Sequence, residues 1–262
     1  MYPKAQKVNI SVSTSQVRLI KATNTARTSH PDKDFCFATH NMIRDMIKLF
    51  GEQCVTFLSV DDKCRVPIGL TAATKQAPLM MHVEYKIRLP DHDFVKAPAH
   101  KLIPSVNALC DIVDGIVTYT GPTVIKIRSA KHDSSTAASH HNDFNALFQA
   151  HPDKLKPIVV VSVDGGPDEN PRFPKTLAYS IKKFKDNNLD ALITLCHAPG
   201  NSAFNPVERR MAPLSRELAG VVLPHEHYGS HLDSSGKTID TELERRNFQH
   251  AGEALAEVKK NL

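Results

Sequence analysis

Residues 157–164 read PIVVVSVD, and their reading decides the fold. From Ile158 to Val163 every side chain except Ser162 is apolar and β-branched, on both faces of an extended chain. That pattern predicts a strand central to a sheet that is covered on both sides. Upstream, CVTFLSVD at 54–61 reads as a second buried strand, and downstream Ala191–Cys196 reads as a third. Helical periodicity separates and flanks them. Residues 33–50 place Phe37, Met42, Ile43, Met46, Ile47 and Phe50 near a 3.6 period and end at Gly51. Further helices are expected at 143–150, at 174–185 with Leu177, Ile181 and Phe184 on one face, from Pro206, and at 239–260. Val66–Thr71 reads as another strand, and Ile116–Tyr119 with Thr123–Arg128 as a hairpin around Thr120-Gly121-Pro122. Residues 73–115, rich in Pro and His, read as an insertion between early strands. Antiparallel strands first and alternating β/α later predict an α/β mixed sheet with helices on both faces.

The 262 residues are 41% apolar and 23% charged, which suits one large or two small domains and excludes disorder by composition. The apolar runs are too short to span a bilayer, so no membrane partner is expected. The start, MYPKAQKVNI, lacks the apolar segment of a signal peptide. Five scattered cysteines with no C-x-x-C pair predict reduced thiols in an intracellular protein. A net charge of +5 permits a polyanionic partner without specifying one.

Two buried strands end alike, FLSVDD and VVSVDG, which sets Asp61 and Asp164 at the carboxyl ends of core strands. Each Asp alone reads as the start of the turn after its strand. A third acid adds another reading. Asn205-Pro206-Val207-Glu208 has the pattern of a helix start, with Asn as N-cap and Pro as first helical residue. Glu208 then either closes a capping box or joins the two strand-end acids. Carboxylates in such places need a partner or a cation. Hard divalent ions take oxygen ligands, and two of them suit phosphodiester chemistry. Asp62 is the alternative first acid, since neighbours in a strand face opposite sides.

Asp61, Asp164 and Glu208 resemble the acidic triad of DDE-type transposases and retroviral integrases, which share the ribonuclease H-like fold. HAPGNSAFNPVERR, at 197–210, is similar to the last catalytic block of mariner-type transposases through Pro199, Asn205, Pro206, Val207 and Glu208. Where that family has Ser-Pro, this chain has Asn201-Ser202. The resemblance spans roughly residues 54–220. It implies Mg²⁺ or Mn²⁺, two ions held by Asp61, Asp164 and Glu208. It also implies DNA cleavage and strand transfer, DNA partners in the element ends and the target, and a homodimer or higher oligomer on DNA. Nuclear localisation is expected in a eukaryote and cytoplasmic otherwise. A domesticated, non-catalytic DNA-binding protein and a ribonuclease H-like nuclease are the other readings.

Lys63, Arg172, Arg209 and Arg210 flank the acids and read either as phosphate contacts or as solvated charge. His197 and Asn205 are accessory candidates, His197 because it ends a core strand. Asp168 and Glu169, after the DGGP turn, are expected to face solvent. His225, His227 and His231 have a loose spacing for zinc, and with His140-His141 they read as loop histidines. Pro213 is expected to kink or end its helix. The division expected is an N-terminal segment with one helix at 1–52, read as the remnant of a DNA-binding region, a catalytic domain at 53–222 with the insertion at 73–115, and a loop with a C-terminal helix at 223–262.

Overall fold

A computed structural model describes residues 30–62, 65–69, 100–218 and 221–260. The chain runs through α1 (Lys33–Phe50), β1 (Val55–Asp62), β2 (Val66–Pro67), β3 (Lys101–Cys110), β4 (Ile112–Val113), β5 (Ile116–Val117), β6 (Thr123–Ser129), α2 (Ala137–Ala150), β7 (Ile158–Val163), α3 (Pro174–Asp186), β8 (Ala191–Cys196), α4 (Pro206–Glu217) and α5 (Thr241–Lys260).

β1 lies at the centre of the sheet. It pairs antiparallel with β3 on one side and parallel with β7 on the other. β8 extends the parallel side and β6 the antiparallel side, giving β6-β3-β1-β7-β8, while β2 pairs with the first two residues of β3. The fold is the expected α/β mixed sheet with helices on both faces. PIVVVSVD takes the place its composition predicts, between two parallel neighbours, with Val159, Val160 and Val161 buried.

The strand period of two sorts the core into faces. Leu58, Val60, Val159, Val161 and Val163 pack against Phe144, Leu147 and Phe148 of α2. On the opposite face, Val55, Phe57 and Val160 pack against Ile43 and Ile47 of α1. Farther along that face, Val106, Ala108, Ile125 and Ile127 meet Val207 and Met211 of α4 and Phe248, Ala251 and Leu255 of α5.

Four sequence readings change. The helix expected at 143–150 begins at Ala137, so His140 and His141 are buried helix residues rather than loop histidines. The stretch expected as an insertion contains β3, a ten-residue strand paired on both edges, and residues 71–99 lie outside the described residues. Pro104 hid it, because proline cannot donate to a ladder. It is tolerated just past the point where the β1 ladder ends, at Ser105. The expected hairpin is also divided differently. β5 turns back on β4 around Asp114-Gly115, both at positive φ, and β6 runs along β3. Asp-Gly is the stronger turn signal, and it overrides Gly121-Pro122. Pro213 does not end α4, which continues through it to Glu217.

Candidate active site

The two Ser-Val-Asp strand ends are neighbours in register. Ser59 of β1 pairs with Ser162 of β7 in the parallel ladder, so Asp61, still within β1, and Asp164, just past the end of β7, come at the same level of the sheet. Both serines are fully buried, and both hydroxyls donate to Oδ1 of Asn205, at 2.5 and 3.0 Å. Asn205 Nδ2 donates to the Val60 carbonyl at 3.1 Å, and Ser59 Oγ accepts from the Val207 N–H at 3.0 Å. Asn205 is therefore a clamp across two strands, and the hydroxyl capping the first turn of α4 comes from the sheet. This differs from the expected cap by the Asn205 side chain. The physical reason is burial: an amide with no exposed surface needs partners on all its polar atoms, and the two serines provide them.

The clamp delivers Glu208 to Asp61. Asp61 is buried, and desolvation pushes its carboxyl up to about 8. The charges of Asp164, Glu208 and Asp62 and a hydrogen bond with Glu208 act in the same direction. Asp164 is exposed, and its Oδ1 accepts from the Gly166 N–H at 2.8 Å. Asp62 turns to the other face of the sheet, as strand alternation requires, where it comes together with His140 and Asp168.

A fourth acid belongs to the cluster. Glu169 is buried rather than solvent-facing, because the turn at 166–170 folds back on the Gly166 carbonyl. Desolvation and then the charges of Asp164, Asp61 and Asp62 hold its carboxyl well above the usual range. Asp168 does not project freely either; it pairs with His140 Nε2 at 3.2 Å, and that hydrogen bond holds its carboxyl below the usual range. The two glycines of DGGP gave no sign of this return.

The basic candidates separate. Arg210 is buried, and its guanidinium donates to the carbonyls of Leu109, Tyr119, Thr120, Gly121 and Pro122 and to Thr123 Oγ1. It is a structural fastener for the loop before β6, with no surface to offer a phosphate, which corrects its reading as a DNA contact. Arg209 lies over the Tyr119 ring at 4.0 Å, and Arg172 over Phe173 at 4.7 Å with its side chain exposed. Lys63 lies outside the described residues. His197 Nε2 meets the Ser162 hydroxyl at 3.2 Å, and its ring stacks on His40 with centroids 4.4 Å apart. Burial, then the charges of His40 and Arg44, lower it to about 4. It braces the clamp as a neutral ring.

Parallel β1, β7 and β8, antiparallel β3 and β6, and helices on both faces define a ribonuclease H-like fold, with acids at the carboxyl ends of β1 and β7. No protein-family profile and no curated protein sequence matches the chain. Among solved structures it is similar to the Mos1 transposase paired-end complex with left transposon end, at 12% identity and TM-score 0.44, over 94% of this chain and 66% of that one. It is also similar to the Mos1 strand transfer complex, at 12% identity and TM-score 0.45, over 93% and 66% of the two chains. The mariner Mos1 paired-end complex with Mg matches at 11% identity and TM-score 0.46, over 94% and 65%. The chain thus spans about two thirds of the length of the Mos1 chains it matches.

Proposed function

We propose that this chain is the catalytic core of a DDE-type transposase, cutting DNA phosphodiesters with Mg²⁺ or Mn²⁺ and joining the freed 3′ hydroxyl to a target. The supporting observation is the meeting of Glu208 with Asp61, a carboxyl that also feels the charge of Asp164. Like charges crowded at a buried position are unfavourable alone and suit a divalent cation. An all-carboxylate donor set fits hard Mg²⁺ or Mn²⁺. Asp61 and Asp164 hold the metal, two ions in the full reading, and Glu208 completes the set. When bound, the ions supply activation of water or the 3′ hydroxyl and charge stabilisation at the leaving oxygen. Arg209 and Arg172 take DNA phosphates beside the acids. In the Mos1 complexes the ligands are transposon ends, Mg or Mn; for this chain the assignment of DNA and metal rests on its own acids and on the resemblance of residues 197–210.

Asp164→Asn is the direct test, because its exposed side chain can change without unpacking the core. We expect unchanged folding by circular dichroism and loss of Mg²⁺-dependent DNA cleavage. Normal cleavage by the variant would refute the assignment. DNA binding without cleavage by the unaltered chain would make it a non-catalytic derivative. Preference for RNA–DNA hybrids in a substrate panel would make it a nuclease of the same fold.

A further inference from the structure

We infer a second metal site, for one Zn²⁺, held by His100, His231 and Glu244 where α5 meets the start of β3. It is independent of the proposed acid site. The three residues come from separate parts of the chain: His100 just before β3, His231 in the loop after α4, and Glu244 in the first turn of α5. Nε2 of His100 and of His231 lie 2.9 Å apart. Glu244 Oε2 lies 3.2 Å from the first and 3.9 Å from the second. Zinc–ligand bonds of about 2.0–2.1 Å set tetrahedral donors roughly 3.3 Å apart, so the three separations bracket the geometry. The side chains of His100, His231 and Glu244 are 2%, 1% and 0% exposed.

His132 Nε2 lies 2.6 Å from Glu244 Oε1, so a third imidazole closes on the other oxygen of the same carboxylate. Two imidazoles among three donors select borderline Zn²⁺ over Mg²⁺, which takes oxygen ligands. The ion would tie α5 and the loop at 225–240 to the sheet.

Three neighbours work against loading. Lys131 Nζ donates to Glu244 Oε2 at 2.7 Å, and Thr238 Oγ1 donates to the same oxygen. The Lys131 side chain is 36% exposed, so it can turn to water when a dication takes that oxygen. Asn247 is more restrictive. Its Oδ1 accepts from the Tyr228 N–H, and its Nδ2 donates to the Gly229 carbonyl and faces His231 Nδ1 at 2.9 Å. That arrangement keeps the His231 proton on Nε2. Binding through Nε2 moves the proton to Nδ1, against the amide of Asn247. Asn247→Asp offers a carboxylate to Nδ1–H, the usual support of a metal-bound histidine, and should tighten zinc about tenfold.

The test is zinc content after dialysis of the full chain against Zn²⁺ and gel filtration. We expect one zinc per chain in the unaltered protein and in Asp61→Asn/Asp164→Asn, and none in His100→Gln/His231→Gln. Zinc should raise the melting midpoint of the first two proteins by several degrees. Co²⁺ should give the intense visible absorption of a tetrahedral site. The inference is overturned if the unaltered chain holds no stoichiometric zinc, or if zinc follows the acids instead of the histidines. Should the histidine variant fail to fold, Asn247→Asp decides: unchanged or weaker zinc affinity overturns the site.

Discussion

Asn205 uses every polar atom of its amide. Oδ1 takes two serine hydroxyls, and Nδ2 bonds the Val60 carbonyl. Asn205→Ala strands these buried groups and frees the first turn of α4 to shift. We expect a loss of about 2–4 kcal/mol in urea denaturation, from penalties of about 1–3 kcal/mol per unsatisfied group. Under the proposed function, metal-dependent cleavage should fall further than stability alone explains, because Glu208 loses its position. His197 gives a pH signature at the same place. Its folded value of about 4 lies below its ordinary 6.5. Between these values the unfolded chain binds the proton and the folded chain does not. The His197 contribution is therefore fully present above pH 6.5 and is lost as pH falls toward 4, by at most about 3 kcal/mol. His197→Gln should flatten that limb of a stability–pH curve; an unchanged slope would show that the ring does not stay neutral.

At the scale of elements, α2 is fastened to the sheet by charge as well as by packing. Arg128 of β6 and Asp143 of α2 form a buried ion pair. Asp143→Ala leaves a buried guanidinium with, among the described residues, only Asp133 at 3.7 Å to answer it. We expect about 3 kcal/mol of destabilisation by chemical denaturation, at the lower end for a broken buried pair because Asp133 remains. β3 teaches a different point about elements. Its sequence KLIPSVNALC carries an internal proline and an asparagine and reads poorly as a strand, yet nine of its ten residues are buried. Pairing with β1 and β6 overrides its weak local preference, which is the usual fate of β propensity. The Asp114-Gly115 turn carries a strong local signal, but it falls at the end of the stretch that reads as an insertion.

For the molecule as a whole, the fold separates arginines that look alike in sequence. Arg209 and Arg210 are adjacent, but Arg210 is buried among carbonyls and Arg209 lies over Tyr119 at the surface of α4. If the chain holds DNA beside the acids, Arg209→Ala and Arg172→Ala should each lower the slope of log affinity against log salt by about 1. Arg210→Met should leave that slope unchanged and lower the melting midpoint. A reduced slope for Arg210→Met in a folded protein would show that the guanidinium reaches phosphate after all.

The sequence alone determined the buried strands β1, β7 and β8, the helical segments around them and the acids that end two of those strands, because these rest on local periodicity and on the cost of burying a charge. The resemblance of residues 197–210 added the order of the three acids. Only tertiary structure decided that Ser59 and Ser162 lie in register, that Asn205 bridges them, and that Glu208 consequently meets Asp61. It alone revealed Glu169, brought back by a turn, and the joining of His100, His231 and Glu244. These meetings depend on strand order and on which residues lose their water, and neither is written in any window of neighbouring residues.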